Sequence, residues 1–443
     1  MNDSPAGPED RRDSLYAWYV VGLLTIAYAV AFVDRQVLNL LVDPIKADLA
    51  LSDTQVSLLQ GLAFMAAYIA FGPFFGRWAD TGHRGRILVT GVVIWSLFTA
   101  LCGFASSFWG LFGARAGVGA AEACLIPAAW SLISDYFTRE RLARAMSIFL
   151  MGPYLGGGLA LIFGGVVVGS VESIQGAVPL LAGFTAWQLS FIVVGLPGVL
   201  LGLALLSVRE PVRRAVSVDA LDDKRFELRE VARFIWDGRA FFLRFYGAMA
   251  LIIIVLYAFP AWMPAFLIRQ HGAAAATVGV QYGSLVLLMG SAGVLAGPAV
   301  GRWLARRGHE DAPVRTAGLA ALCLVPVSAS IAFLPTYGGA LAAAAATTFL
   351  YSLPQSLAAS ALQLAAPNRM RGVLSSLYVF IASVMGLGVA PTLVALITDY
   401  LLRDPGRVGE SLALVCATAS VLAAWLMRSA APHYREALAR QHA

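Results

Sequence analysis

Four charged side chains stand inside stretches otherwise apolar enough to cross a bilayer. Asp34 and Arg35 are adjacent in "AFVDRQVLNLL", and Arg115 and Glu122 lie seven residues apart in "GARAGVGAAEACLIPAAW". A charge at the bilayer centre costs several kcal/mol, so such groups face a cavity or a partner and mark proton or substrate paths. A carboxyl can carry a proton. An arginine can hold an anionic head group or alter the proton affinity of a neighbouring carboxyl. The chemistry to expect is reversible protonation and charge pairing.

Helix geometry limits which of the four can meet. Asp34 and Arg35 point about 100° apart around a helix, so one cavity cannot receive both. Arg115 and Glu122 share a face, about 10.5 Å apart along the axis, stacked rather than paired. Counted from the outer surface, Asp34 is about eight residues down its helix and Arg115 about seven down its own, so the two are level and can pair. Glu122 falls nearer the midplane, with no basic neighbour in the adjacent turn. Arg35 is left to brace a neighbouring helix or to snorkel outward. A purely structural ion pair that stitches helices together is the plainer alternative for all four. The five histidines, His83, His271, His309, His433 and His442, lie in loops or the tail. A proton carrier must therefore be Asp34 or Glu122.

The elements that position these groups follow from composition. Hydrophobic residues make up 59% of 443 positions and charged residues 13%, well below the roughly one quarter charged of a soluble domain. Apolar runs of bilayer-spanning length recur throughout, and the in/out alternation of a membrane barrel is absent. The expected fold is all-α, with twelve transmembrane helices in two pseudo-symmetric six-helix bundles. Spans fall near 16–42, 54–76, 87–106, 108–137, 144–168 and 185–208, then 240–267, 277–303, 314–334, 338–364, 371–400 and 410–429; they are numbered helices 1 to 12 below. The first run lacks a small-residue cleavage site and reads as a mature helix, not a signal peptide.

The chain divides into an N-tail (1–15), a first bundle (16–208), a linker (209–238), a second bundle (239–429) and a C-tail (430–443). The linker is the only long charged segment and contains an amphipathic stretch around Phe226 to Trp236. With the N-terminus inside, about 26 lysines and arginines fall on the inner side against about four on the outer, namely Lys46, Arg269, Arg403 and Arg407. Both termini are expected in the cytoplasm, and the membrane is the inner one if the source is bacterial. The charges are spread over loops and form no patch for nucleic acid. The four cysteines lie in apolar runs without a CxxC pair, so neither a disulfide framework nor a metal site is expected. No metal cluster, nucleophile–base pair or phosphate loop suggests an enzyme, and protons are the only coupling agent expected.

An internal repeat supports the two halves. "GPFFGRWAD" from Gly72 matches "GPAVGRWLA" from Gly297, each ending the second helix of its half. The first copy continues as "GRWADTGHRGR", with Gly76, Asp80, Arg84 and Arg86. This resembles the cytoplasmic loop signature of the major facilitator superfamily, GxxxDxxxR followed by another basic residue. The resemblance implies that Asp80, Arg84 and Arg86 latch the inner gate, the aspartate lying against a helix N-terminus. Gly82 comes one place earlier than usual, and Ala305 replaces the aspartate in the second copy, so a strong latch is expected only in the first half. In helix 5, Gly152, Pro153, Gly156 and Gly157 of "MGPYLGGG" are similar to the GPxxGG element of many exchangers of the superfamily. Small residues there permit close packing and proline loosens the helix; hinge and plain packing are both open.

Within the superfamily, Asp34-Arg35, "LSDTQVSLLQGLAFMAAY" and the RxGVGxxEA of Arg115 to Ala123 most resemble the Spinster family of lipid-linked transporters. The organic anion symporter branch also has an aspartate-arginine pair, RxxxGxxE, and an ER pair followed by alanine, as in Glu140 to Ala143. Apart from either branch, buried charge lies in the first half alone, while the second half offers Tyr246, Tyr257, Thr347, Tyr351 and Gln355. One charged wall and one apolar wall suit an amphipathic substrate whose head meets Arg115. The expectation is a monomeric, proton-coupled, alternating-access transporter of a lysophospholipid or sphingoid-type molecule. A symporter of small organic anions such as sugar acids is the alternative, and a drug or metabolite exporter the next.

Overall fold

The computed structural model of the chain describes residues 13–171, 173, 175, 183–211, 228–367 and 370–442. Among them every regular element is helical. A bilayer leaves unpaired backbone groups no water to bond, and helices satisfy them internally. Eleven helices are long and apolar enough to span a membrane. The remaining expected span, helix 10, is broken into Tyr337–Ser352 and Gln355–Ala365, each too short alone. Pro354 causes the break, because proline supplies no N–H to the preceding turn.

Other helices are interrupted too. Helix 2 is Asp53–Gln60 followed by Leu62–Thr81, parted at Gly61. Helix 4 is Phe108–Glu122 followed by Leu125–Tyr136, and helix 5 is Arg139–Phe149 followed by Gly152–Gly169, with Pro153 in the first turn of the second piece. Proline is tolerated there because that N–H has no helical partner anyway. Helix 12, Val408–His442, runs straight through the expected start of the C-tail at 430. The linker's helix is Leu228–Asp237, close to the expected amphipathic stretch; residues 212–227 lie outside the described residues.

Helix 11 carries two π-helical stretches, Ser383–Val389 and Ile397–Leu402. Pro391 cannot donate to the Leu387 carbonyl four residues earlier, and the ladder there widens. The freed carbonyl faces Gly61, where an added Cβ would overlap it. The Pro391 carbonyl in turn accepts from Trp262 Nε1 at 2.9 Å.

The chain forms two compact units. The first holds Met1–Leu51, Leu62–Leu221 and Ala275–Gly283; the second holds Ser52–Gly61, Asp222–Ala274 and Ser284–Ala443. Each therefore follows one bundle except at the first turns of helices 2 and 8. The first unit packs helix 1 on helix 5 through Gly156, where a Cβ would overlap the Ala29 carbonyl. The second has a core built by helices 7, 9, 10, 11 and 12, including Phe241, Phe245, Met249, Leu374 and Tyr434.

Candidate functional site

All four intramembrane charges lie in the first unit, and they come together in a pattern that depth alone does not reveal. Arg35 pairs with Glu122: Nη2 bonds Oε1 closely, and Nε donates to Oε2 at 3.3 Å. The pair is nearly sealed, with side-chain exposures of 11% and 1%. Glu122 thus has its cation from helix 1 rather than from its own helix, and Arg35 braces helix 4.

Arg115 and Asp34 are level, as expected, but they do not close a simple carboxylate–guanidinium pair. Arg115 Nη1 donates to the Asp34 backbone carbonyl at 2.9 Å. Both residues are fully buried. Neither Asp34 carboxyl oxygen has a hydrogen bond of normal geometry, although the Thr99 hydroxyl, which donates to the Trp95 carbonyl at 3.0 Å, lies beside it.

Aromatic rings separate the two arginines. The Arg35 guanidinium carbon lies 4.3 Å from the Phe64 ring centroid, 4.7 Å from Phe32 and 5.6 Å from Tyr68. The Arg115 guanidinium stands 5.9 Å from the same Phe64 ring. Such contacts contribute about 0.5–2 kcal/mol each, most when desolvated. Phe64 reaches this position because Gly119 lets helix 2 lie directly on helix 4; an added Cβ would overlap the Phe64 carbonyl.

At one end of the same unit, Arg84 is the centre of a second network. It is 1% exposed and pairs with Asp135, donates to Glu210 at 2.6 Å, and bonds the Ser131 hydroxyl at 2.7 Å. Glu210 also accepts from the Gly85 amide at 3.2 Å. Arg86 is exposed, its amide donating to His83 Nδ1 at 3.3 Å, and Gly76 has open space around it. The side chain of Asp80 lies outside the described residues, as do those of Glu140 and Ala143.

The second unit's named groups are scattered. Tyr246 sits in the hydrophobic core and donates to the Leu374 carbonyl at 3.0 Å. Tyr257 lies over Gly386 in the π stretch of helix 11. Tyr351 is buried with Phe259, and Gln355 donates to the Tyr351 carbonyl at 3.2 Å, bridging the break in helix 10. In the first unit, by contrast, Gly152 packs against Tyr28, while Gly157 faces open space.

Sequence reasoning missed a further ion pair in the second unit. Arg269 holds Asp53 in a two-pronged bond of 2.9 and 2.8 Å, Asp53 being fully buried, and the Thr54 hydroxyl and amide both donate to Asp399 at 2.6 and 2.7 Å. The local signal pointed elsewhere: Ser52 and Gln55 form a capping box, which makes Asp53 look like an ordinary first-turn acid.

Residues 24–391 match the family model of the Major Facilitator Superfamily. Over 437 residues the chain is 29% identical to an MFS-type efflux pump of Mycolicibacterium smegmatis, covering 96% of this chain and 95% of that one. A sphingosine-1-phosphate transporter of Xenopus tropicalis is 24% identical over 412 residues, 88% of this chain and 76% of its own. Among solved structures, a bacterial homolog to the human lysosomal transporter Spinster, inward-facing and unoccupied, superposes with a TM-score of 0.82 at 25% identity, covering 96% of this chain and 99% of that one.

Proposed function

Since this chain belongs to the Major Facilitator Superfamily, with Spinster proteins among its relatives, we propose that it carries an amphipathic, lipid-like molecule of the lysophospholipid or sphingoid type by proton-coupled alternating access. The observation that carries this reading is the asymmetry of buried charge. Among the described residues, the charges buried at mid-helix all belong to the first unit, while the second unit's membrane interior offers hydroxyls, amides and apolar faces. An amphipath needs a polar partner for its head and no charge along its tail. A compact dianion would need cations from both halves.

In this mechanism Asp34 carries the proton. Among the described residues it is the buried carboxyl not clamped by a guanidinium, so gain or loss of a proton changes the charge of the site without first breaking an ion pair. Arg35 binds the anionic head by exchanging its Glu122 partner for the substrate, and the Phe32–Phe64–Tyr68 ring set keeps the guanidinium in place during the exchange. Alternation requires helix 2 to exchange partners at its start and helix 3 at its own start. The Asp53–Arg269 and Thr54–Asp399 bonds form the outer latch, and the Arg84 network is the inner one.

The test is thermal stabilisation of purified protein against lysophospholipids, sphingoid bases, small carboxylates and hydrophobic cations. Lysophospholipids or phosphorylated sphingoid bases, whose heads are anionic, should raise the melting temperature, and Arg35→Gln should abolish the rise. Stabilisation by hexuronates alone would replace this reading with a sugar-acid symporter. Stabilisation by hydrophobic cations alone would favour a drug exporter, a reading to which the full-length similarity to an efflux pump lends weight.

A further inference from the structure

Within the second unit, helices 9 and 12 leave a groove of about 660 Å³, within the size range of small-molecule sites. One end is basic, with Arg315, Arg428 and Arg435 converging on it, and the rest is lined by apolar side chains such as Leu322, Val325, Val421 and Trp425. Trp425 is 64% exposed and Leu322 58% exposed. The two helices run antiparallel in close contact, since a Cβ on Gly318 would come 3.2 Å from the Met427 Cβ. That contact fixes the register: the arginines gather at one end and Val325 and Val421 at the other.

The groove has the length of one leaflet. Arg315 to Val325 spans about 15 Å at the helical rise, half of the ~30 Å hydrocarbon core. Its basic end adjoins the 306–315 loop and the last turns of helix 12, which the distribution of lysine and arginine assigns to the cytoplasmic side. The charge there is not internally neutralised. Buried Asp311 pairs with Arg315 at 3.3 Å, whereas Arg428 and Arg435 are exposed and have no carboxylate partner among the described residues.

We propose that the helix 9–helix 12 groove is a binding site for an anionic phospholipid of the cytoplasmic leaflet, its phosphate held by Arg428 and Arg435 and one acyl chain lying along Leu322, Val421 and Trp425. Basic pockets between membrane helices on that side favour anionic head groups. Apolar complementarity alone would take any lipid or a second protein copy. The two exposed arginines select the anion, and the one-leaflet depth selects a lipid over a soluble phosphate. This site is separate from the buried charge cluster and does not depend on what the protein transports.

Native mass spectrometry of the full-length protein in neutral detergent tests this, with phosphatidylglycerol and phosphatidylcholine titrated side by side. Phosphatidylglycerol should bind more tightly, and the double variant Arg428→Gln/Arg435→Gln should lower its affinity about thirtyfold while leaving phosphatidylcholine binding unchanged. Ala424→Trp, which fills the groove and keeps every arginine, should lose phosphatidylglycerol equally. Melting curves of both variants without added lipid should match the parent, showing that they fold. Equal binding of the two lipids, an unaffected double variant, displacement of phosphatidylglycerol by glycerol 3-phosphate, or a dimer that excludes lipid would each overturn the proposal.

Discussion

At the end of helix 2, "GPFFGRWAD" leads to Arg84, a guanidinium 1% exposed and bonded to Asp135, Glu210 and Ser131. At the end of helix 8, the matching "GPAVGRWLA" leads to Arg307, which rests 3.9 Å over the ring of Trp303, itself half exposed. The same contrast holds deeper in the membrane. Helices 1 and 4 carry Asp34, Arg35, Arg115 and Glu122, whereas the interiors of helices 7 and 10 carry tyrosines, threonines and glutamines. A duplicated helical plan has its packing motif in both copies and its mid-helix buried charge in one. Packing requires small residues at fixed intervals and is satisfied twice. A charge in the bilayer is costly and persists where a partner or a task holds it.

The largest effect that could break this contrast is on proton movement. Asp34→Asn should cut proton-coupled uptake into liposomes by about 10²-fold or more, the scale of a positioned proton-transfer group, while Thr348→Val in the second half leaves it unchanged. Uptake that survives Asp34→Asn would remove the first half's claim to the coupling site. Next comes stability. Arg35→Ala leaves Glu122 buried and unpaired, at a cost of about 3–5 kcal/mol, whereas Arg35→Leu with Glu122→Leu together should cost far less. Equal melting temperatures for the single and double variants would show that the pair is not what holds helix 1 to helix 4.

Arg84 and Arg307, which follow the two copies of the repeat at different offsets, give a smaller, sharper difference. Arg84→Gln should destabilise by roughly 2–3 kcal/mol through its lost charged hydrogen bonds, and Arg307→Gln by under about 1 kcal/mol, the value of an exposed cation–ring contact; comparable losses would mean that the halves differ less than their contacts suggest. Smallest is the glycine pair of helix 5. Gly156→Ala should cost about 1–3 kcal/mol by overpacking against helix 1, while Gly157→Ala, facing open space, should be neutral or stabilise by up to about 1 kcal/mol. Denaturation in detergent reads both.

Much of the scaffold was legible in the sequence, because a span of about 20 apolar residues has few other uses. The breaks were less so. Pro354 and Pro391 stand out as letters, but which carbonyl each frees and what fills the gap depends on neighbours remote in the chain, such as Gly61 beside Leu387. The candidate site shows the same division. Spacing along a helix gives depth, and it placed Arg115 level with Asp34; it does not give the rotation of one helix against another, so the partnership of Arg35 with Glu122 could not be read. The Asp53–Arg269 pair was hidden for a different reason, since a capping box explains an acid at a helix start without requiring a distant cation.

The π-helical stretch Ser383–Val389 has a consequence in time. A π turn packs one more residue into each turn than its α-helical flanks and holds it with weaker, wider bonds. It behaves as a dislocation in a crystal does: the surplus residue can glide along helix 11, each step turning the side chains beyond it by about one residue's rotation, ~100°, without the helix ever unravelling. Amide deuteration within helix 11 should therefore begin at this seam and spread from it, making Ser383–Val389 the first part of that helix's interior to exchange.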